Sequence, residues 1–272
     1  MGRIEGRPVQ SRRGAHAERA SASCRPGLSL VRLAAAGIAR QTRMHNVKVF
    51  DMQPFQRKSD PRQQQELVVR RVLNAGSGPQ SSRQLHPMFR TENWREVRLD
   101  IDPQTNPDMI GSITDMSGLV PSQSFDAVWS SHSLEHLHTH EVPLALAEFR
   151  RVLKPEGFAL ITSPDLESVA SWMLEHGLDQ VLYTSAAGPI TPHDIFFGHS
   201  SSIALGKRFM AHKTGFTCAL LGQRLLDAGF PIVLAKRERL DLWAMALMEN
   251  VDKSKLQHQC KAAGLDMFDE VD

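Results

Sequence analysis

Val72-Leu73-Asn74-Ala75-Gly76-Ser77-Gly78, residues 72–78, decides the fold. A short apolar run leads into two glycines one residue apart, and glycine lacks the Cβ that would hold a ligand or another chain segment away from the backbone. A tight strand-to-helix turn with no ligand would use the same residues. Asp100 adds to the signal: it ends the next apolar run, 24 positions past Gly76, near the roughly 20-residue offset at which a carboxylate meets a ribose. Asp102 is the neighbouring candidate for that role. Pro79-Gln80-Ser81-Ser82 stands where a third glycine would be, which argues against a pyrophosphate ligand.

Outward from this turn the pattern alternates between short apolar strands and amphipathic helices. Strands are expected at 67–73, 96–102, 109–113, 125–130 and 158–162. Between the last two, Val142, Ala145, Leu146, Phe149, Val152 and Leu153 recur at helical spacing, and Lys154-Pro155-Glu156-Gly157 should stop that helix. Residues 166–176 look helical, 178–215 form an aperiodic insertion rich in Gly, Pro, Ser and His, and 218–228 are helical before Gly229. Apolar runs at 231–235 and 240–248, joined by charged residues 236–239, suit a terminal hairpin. The fold class is α/β: a doubly wound, Rossmann-like, mostly parallel sheet with helices on both faces, a C-terminal antiparallel strand and an insertion after the fifth strand.

The 272 residues fit one large domain with appendages. With 41% hydrophobic and 23% charged residues, a disordered or fibrous chain is excluded. A net charge of +2 supplies no overall field for nucleic acid or anionic lipid, so neither is an expected partner. The charge is unevenly placed: residues 1–43 hold nine Arg, no Lys and two acids, a local +7 that leaves −5 for the remainder. This segment is expected to be a disordered extension before a domain over 44–249, with 176–215 as a lid-like insertion and 250–272 as a loose polar tail. Its Arg-rich, acid-poor composition also suits organellar import; the apolar run 28–39 is broken by Arg32 and is too short for a membrane span. Cys24, Cys218 and Cys260 lack CxxC spacing, which fits a reducing, cytoplasmic location.

A nucleoside ligand without phosphates still needs the glycine turn and the ribose acid, and S-adenosylmethionine is the commonest of these on such a sheet. Here the sequence resembles the class I S-adenosylmethionine-dependent methyltransferases of the type 11 methyltransferase-domain group. The likeness spans roughly 66–164 and is carried by VLNAGSG, RLDID, GSITDMS, FDAVWSSHSLEHL and EFRRVLKPEGFALITSPD. It implies that Gly76, Ser77 and Gly78 face the methionine part of the cofactor, Asp100 its ribose, and Asp115 with Met116 its adenine. Ser131 and His132 would sit beside the methyl group. Asn74 stands where the family usually has an acid contacting the cofactor's ammonium group. The implied function is methyl transfer to a small-molecule acceptor, and the alternative is an S-adenosylmethionine-binding regulator without turnover.

His132-Ser133-Leu134-Glu135-His136 also matches HxxEH, a zinc metallopeptidase spacing, which on a helix would place both histidines on one face with Glu135 activating water. The motif abuts a strand and the sequence singles out no third ligand, so no metal is expected. His136 is read as structural, and His132 as either a general base or structural. The insertion carries His193, His199, His212 and Lys213 among aromatic residues; as a lid these would touch the acceptor, and as a surface loop its aromatics would pack on the sheet.

Overall fold

The computed structural model describes residues 69–81 and 85–268; the extension 1–43, the boundary at 44 and the expected strand start at 67–68 lie outside the described residues. The elements in chain order are β1 (Arg70–Ala75), β2 (Trp94–Asp100), β3 (Met109–Ile110), β4 (Phe125–Ser131), α1 (Val142–Val152), β5 (Leu153–Pro164) and α2 (Leu166–His176). The insertion contributes a hairpin, β6 (Tyr183–Ser185) and β7 (Gly188–Ile190), and two short helices, α3 (Pro192–Phe197) and α4 (Ser200–Ala204). Then come α5 (Cys218–Asp227), β8 (Ile232–Glu238), β9 (Asp241–Leu247) and α6 (Lys253–Ala262).

Seven strands form one sheet in the order β3-β2-β1-β4-β5-β9-β8. The first five are parallel, β9 runs antiparallel to β5, and β8 is antiparallel to β9. Strand order reverses between β1 and β4, so a crevice opens at their carboxyl ends, where ligands bind in open α/β sheets. The doubly wound sheet with its antiparallel strand is as expected. Its boundaries differ: β1 continues through Asn74 and Ala75, β2 stops at Asp100, β3 is only two residues long, and β5 begins directly after α1, where residues 154–157 were expected as a stop. The charged residues 236–238 are strand, not turn.

Alternation along each strand sorts the core into two layers. Leu73, Val128, Ala159, Ile161, Val233, Ala244 and Ala246 face α1 and α5, whose Val142, Ala145, Leu146, Phe149 and Val152, with Leu221 and Leu225, close this layer. Val72, Ala127, Trp129, Phe158, Leu160, Leu234, Met245 and Leu247 face the other way. Among the described residues no α-helix lies between β1 and β2. This second face is covered by a 3-10 turn at Pro87–Phe89 and by α6. The expected loose tail is therefore overturned. Asp252 Oδ1 caps α6 by accepting from Lys255 N at 3.0 Å, and Leu256, Cys260, Leu265 and Met267 are buried against the sheet. Burial pushes the Cys260 thiol up to about 12, so it packs as an apolar side chain.

His86 sits in this aromatic layer, 5.5 Å from the rings of both Trp129 and Trp243. Burial, helped by the Arg90 charge, lowers its pKa to about 4. The unfolded chain then binds a proton that the folded chain refuses between pH 6.5 and 4, so His86 favours folding above 6.5 and progressively opposes it below. Urea midpoints measured at pH 7 and pH 5 should fall with acidification, and His86→Phe should reduce that fall. Leu256→Ala should lower stability by about 2–5 kcal/mol in the same measurement, whereas a loose tail would give no change.

Candidate functional site

The glycine turn is held from three sides. Gly76 has φ +73° and Gly78 φ +60°, values that favour glycine. A Cβ on Gly76 would lie 2.3 Å from Ser133 Oγ and 2.8 Å from Ser133 Cβ. Ser133 occupies that space because its hydroxyl reaches the carbonyls of Ala75 at 3.3 Å and Gly76 at 3.2 Å. Asp100, 8% exposed, accepts from Gly78 N at 2.7 Å and from Asp102 N at 2.9 Å. The N–H groups of Gly76 and Ser77 both donate to Leu99 O. All three turn N–H groups are therefore committed within the protein, as a phosphate-binding loop would not have them. The Asp100 carboxylate, with about four lone-pair sites and two bonds received, keeps acceptor capacity for a sugar diol. The residues present suit a nucleoside without phosphates.

Asn74 is buried and its amide donates to Glu96 Oε1 on the adjacent strand at 2.7 Å, so an acid stands beside the position that lacks one. Asp102 turns away from Asp100 to cap the 3-10 turn Pro103–Thr105, accepting from Gln104 N at 2.9 Å. Asp115 is exposed and accepts from Ser117 Oγ at 2.7 Å. The Met116 side chain is fully buried in the core, and its N–H donates to Glu148 Oε2 at 2.7 Å. Ser131 accepts from Thr162 Oγ1 at 2.9 Å.

A pocket of about 300 Å³ opens on the second face, lined by residues that include Ser131, His132, Thr162, Asp241 and Trp243. Sheet register explains it. Ser131 lies opposite Thr162, which lies opposite Trp243, one row across β4, β5 and β9 just past the row Trp129, Leu160 and Met245. Ring edges of His86, Trp129 and Trp243 give the pocket an apolar, aromatic wall.

His132 follows β4 in a left-handed conformation, φ +50°. Its Nδ1 lies 3.3 Å from Glu135 Oε1 and its Nε2 3.6 Å from Asp241 Oδ1, with the side chain 45% exposed. Burial opposes its charge, yet the contact with Glu135 and the charges of Glu135 and Asp241 outweigh it and raise the pKa to about 8. Leu134–His136 is a 3-10 turn, so the helical face that a peptidase reading of HSLEH requires does not form.

The four insertion residues do not converge, and none lines the pocket. His193 packs against Phe197, ring centroids 5.0 Å apart, and His199 Nδ1 is 2.7 Å from Ser202 Oγ, both contacts within the insertion. His212 and Lys213 instead reach the loop after β4: His212 packs edge-on against His136 at 4.8 Å, and Lys213 N donates to Glu135 O at 2.8 Å while its side chain is exposed. Sequence reasoning missed Glu96, Ser133, Thr162, Asp241 and Trp243. The i, i+2 pairs Trp129/Ser131 and Asp241/Trp243 were a usable signal, since each places an aromatic and a polar group on one face of a strand.

Residues 73–161 match the family model described as "Methyltransferase domain". Among solved structures, the chain is similar to a SAM-dependent methyltransferase from Archaeoglobus fulgidus, 17% identical with TM-score 0.44, covering 65% of this chain and 86% of that one. It is also similar to Burkholderia thailandensis 1,6-didemethyltoxoflavin-N1-methyltransferase with bound 1,6-didemethyltoxoflavin and S-adenosylhomocysteine, 17% identical with TM-score 0.40, covering 66% of this chain and 71% of that one. No curated protein matches.

Gly76→Ala should destabilise the fold through overpacking, by about 1–3 kcal/mol, with a further cost from the positive φ. Adding Ser133→Gly removes both atoms that the new methyl group would strike, so the double variant should recover part of the lost melting temperature. Additive losses would show that Ser133 is not the obstacle.

Proposed function

We propose that this chain, whose residues 73–161 match the methyltransferase-domain family, uses S-adenosylmethionine and passes its methyl group to a small, aromatic-tolerant acceptor seated in the pocket of about 300 Å³. The observation that carries the reading is the continuity of one short segment. Ser131 and His132 line that pocket, and Ser133, the next residue, is hydrogen-bonded to the glycine turn. A cofactor lying along the turn and an acceptor in the pocket therefore meet across the carboxyl end of β4.

Bound S-adenosylmethionine supplies a methyl group on a sulfonium centre. The protein supplies alignment and exclusion of water, the dominant requirements for this transfer. Asp100 holds the ribose hydroxyls while its backbone bonds fix the turn. Gly76, Ser77 and Gly78 let the cofactor approach the main chain, and Asn74 with Glu96 provides the acceptor and charge for its ammonium end. Asp115 and the main chain around Met116 border the adenine end, while Asp102 N donates to Asp100 Oδ1 beside the ribose position. Ser131 and His132 orient the acceptor. The insertion that carries His193, His199, His212 and Lys213 stands outside this pocket, and none of the four is assigned a contact with the acceptor. No helix among the described residues is long and apolar enough to cross a membrane; a cytoplasmic location is part of this proposal.

Calorimetric titration with S-adenosylmethionine and S-adenosylhomocysteine tests the cofactor half. Asp100→Ala should weaken both by tenfold or more, the loss of one or two charge-assisted hydrogen bonds. His132→Ala and Trp243→Ala should leave that affinity within a few-fold yet abolish most S-adenosylhomocysteine release from a metabolite extract. Cofactor binding without release from any extract would leave a binding protein, and unchanged affinity in Asp100→Ala would overturn the ribose assignment.

A further inference from the structure

The loop after β4 and the insertion bring together Glu135, His136 and His212, each offering a ligand atom, all within 4.8 Å of one another. Two further observations point to a ligand. Each histidine has its Nδ1 at a main-chain carbonyl, His136 at Ala211 O (3.2 Å) and His212 at Ile195 O (2.6 Å). A ring anchored in this way donates from Nδ1 and leaves Nε2 as a lone-pair ligand, the arrangement by which proteins orient metal-binding imidazoles. Glu135 is only 1% exposed, and its Oε1 receives no hydrogen bond, the nearest cationic group being His132 Nδ1 at 3.3 Å. Its Oε2 accepts from Ser163 Oγ at 3.3 Å, so beside one hydroxyl and one imidazole the carboxylate still has lone pairs to offer a metal ion.

We infer that Glu135, His136 and His212 form a binding site for a divalent transition ion, Zn²⁺ by donor chemistry, which clasps the insertion to the end of β4. Two imidazole nitrogens and one carboxylate oxygen suit Zn²⁺, with a fourth position left for water or another oxygen ligand. Ligand atoms around tetrahedral Zn²⁺ stand about 3.4 Å apart for bonds of about 2.1 Å, so the three side chains close by little more than an ångström. The backbone is already fastened at this point, since Lys213 N and Thr214 N both donate to Glu135 O. Glu135 and His136 come from the HSLEH run, and the third ligand that the run lacks locally arrives from residue 212. The site does not depend on methyl transfer, and its test reads metal binding alone.

The full chain, stripped with a chelator, is titrated with Zn²⁺ against a chromogenic competitor and separately with Co²⁺. One equivalent should bind with Kd near or below 1 µM, about 8 kcal/mol. His136→Asn and His212→Asn should each weaken it by at least tenfold, while His176→Ala, outside the cluster, should not. Affinity unchanged from the parent in both His136→Asn and His212→Asn would place any bound zinc elsewhere and overturn the site. His212→Cys keeps a ligand at that position: with Co²⁺ it should gain a thiolate-to-metal absorption band absent from the parent. A folded His212→Cys protein that binds Co²⁺ without that band, or a parent chain that binds no equivalent, would also overturn it.

Discussion

The contact between Gly76 and Ser133 sets the geometry on which the site depends. β1 and β4 are adjacent, and the chain leaving each must turn at the same edge of the sheet. Ser133 fills the volume where any other residue at 76 would put its Cβ, and its hydroxyl is shared among the nearby carbonyls of Ala75 and Gly76. The two loops are thereby locked into one surface, with Asp100 fastening the turn from the β2 side. Moving either loop by an ångström would break at least one of these bonds, so the crevice at the glycine turn and the aromatic pocket have a fixed relation.

Buried charge is concentrated immediately beyond that lock. Burial works against ionisation of Glu135, but His132 and His136 outweigh it and hold its carboxyl below the usual range. Asp241 closes the other side of His132, and burial pushes its own carboxyl up. Such a group costs stability when one partner is removed, and two of its three members, His132 and Asp241, line the pocket.

Much of the fold was legible because both periodicities were clean. The α1 stripe of Val142, Ala145, Leu146, Phe149 and Val152 is the buried face observed, and α2 spans the residues read for it. The tail was misread because Leu256 and Cys260 are sparse among Lys, Gln and His; one apolar residue per turn is enough when the sheet already offers a flat apolar face. Around the glycine turn, spacing brought Gly76, Gly78 and Asp100 into one hydrogen-bonded turn, while the side chains of Asp102 and Met116 are engaged in a turn cap and in the core. Two residues separate an acid that fastens the turn from one that caps the next 3-10 turn, and adjacent residues such as Asp115 and Met116 can be exposed and buried in turn. The pocket row of Ser131, Thr162 and Trp243 depends on register between strands far apart in sequence, which no local pattern encodes.

Helix α6 has a consequence for how the chain acquires its shape. Val72, Trp129 and Leu160 are laid down early in synthesis, yet the helix that covers their side of the sheet is encoded nearly a hundred residues after Leu160. During translation an apolar, aromatic surface must wait for its cover. The nascent polypeptide is thus a natural client for chaperones until residue 267 has left the ribosomal exit tunnel, and a premature stop before α6 would produce a sticky, degradation-prone product rather than a smaller working enzyme.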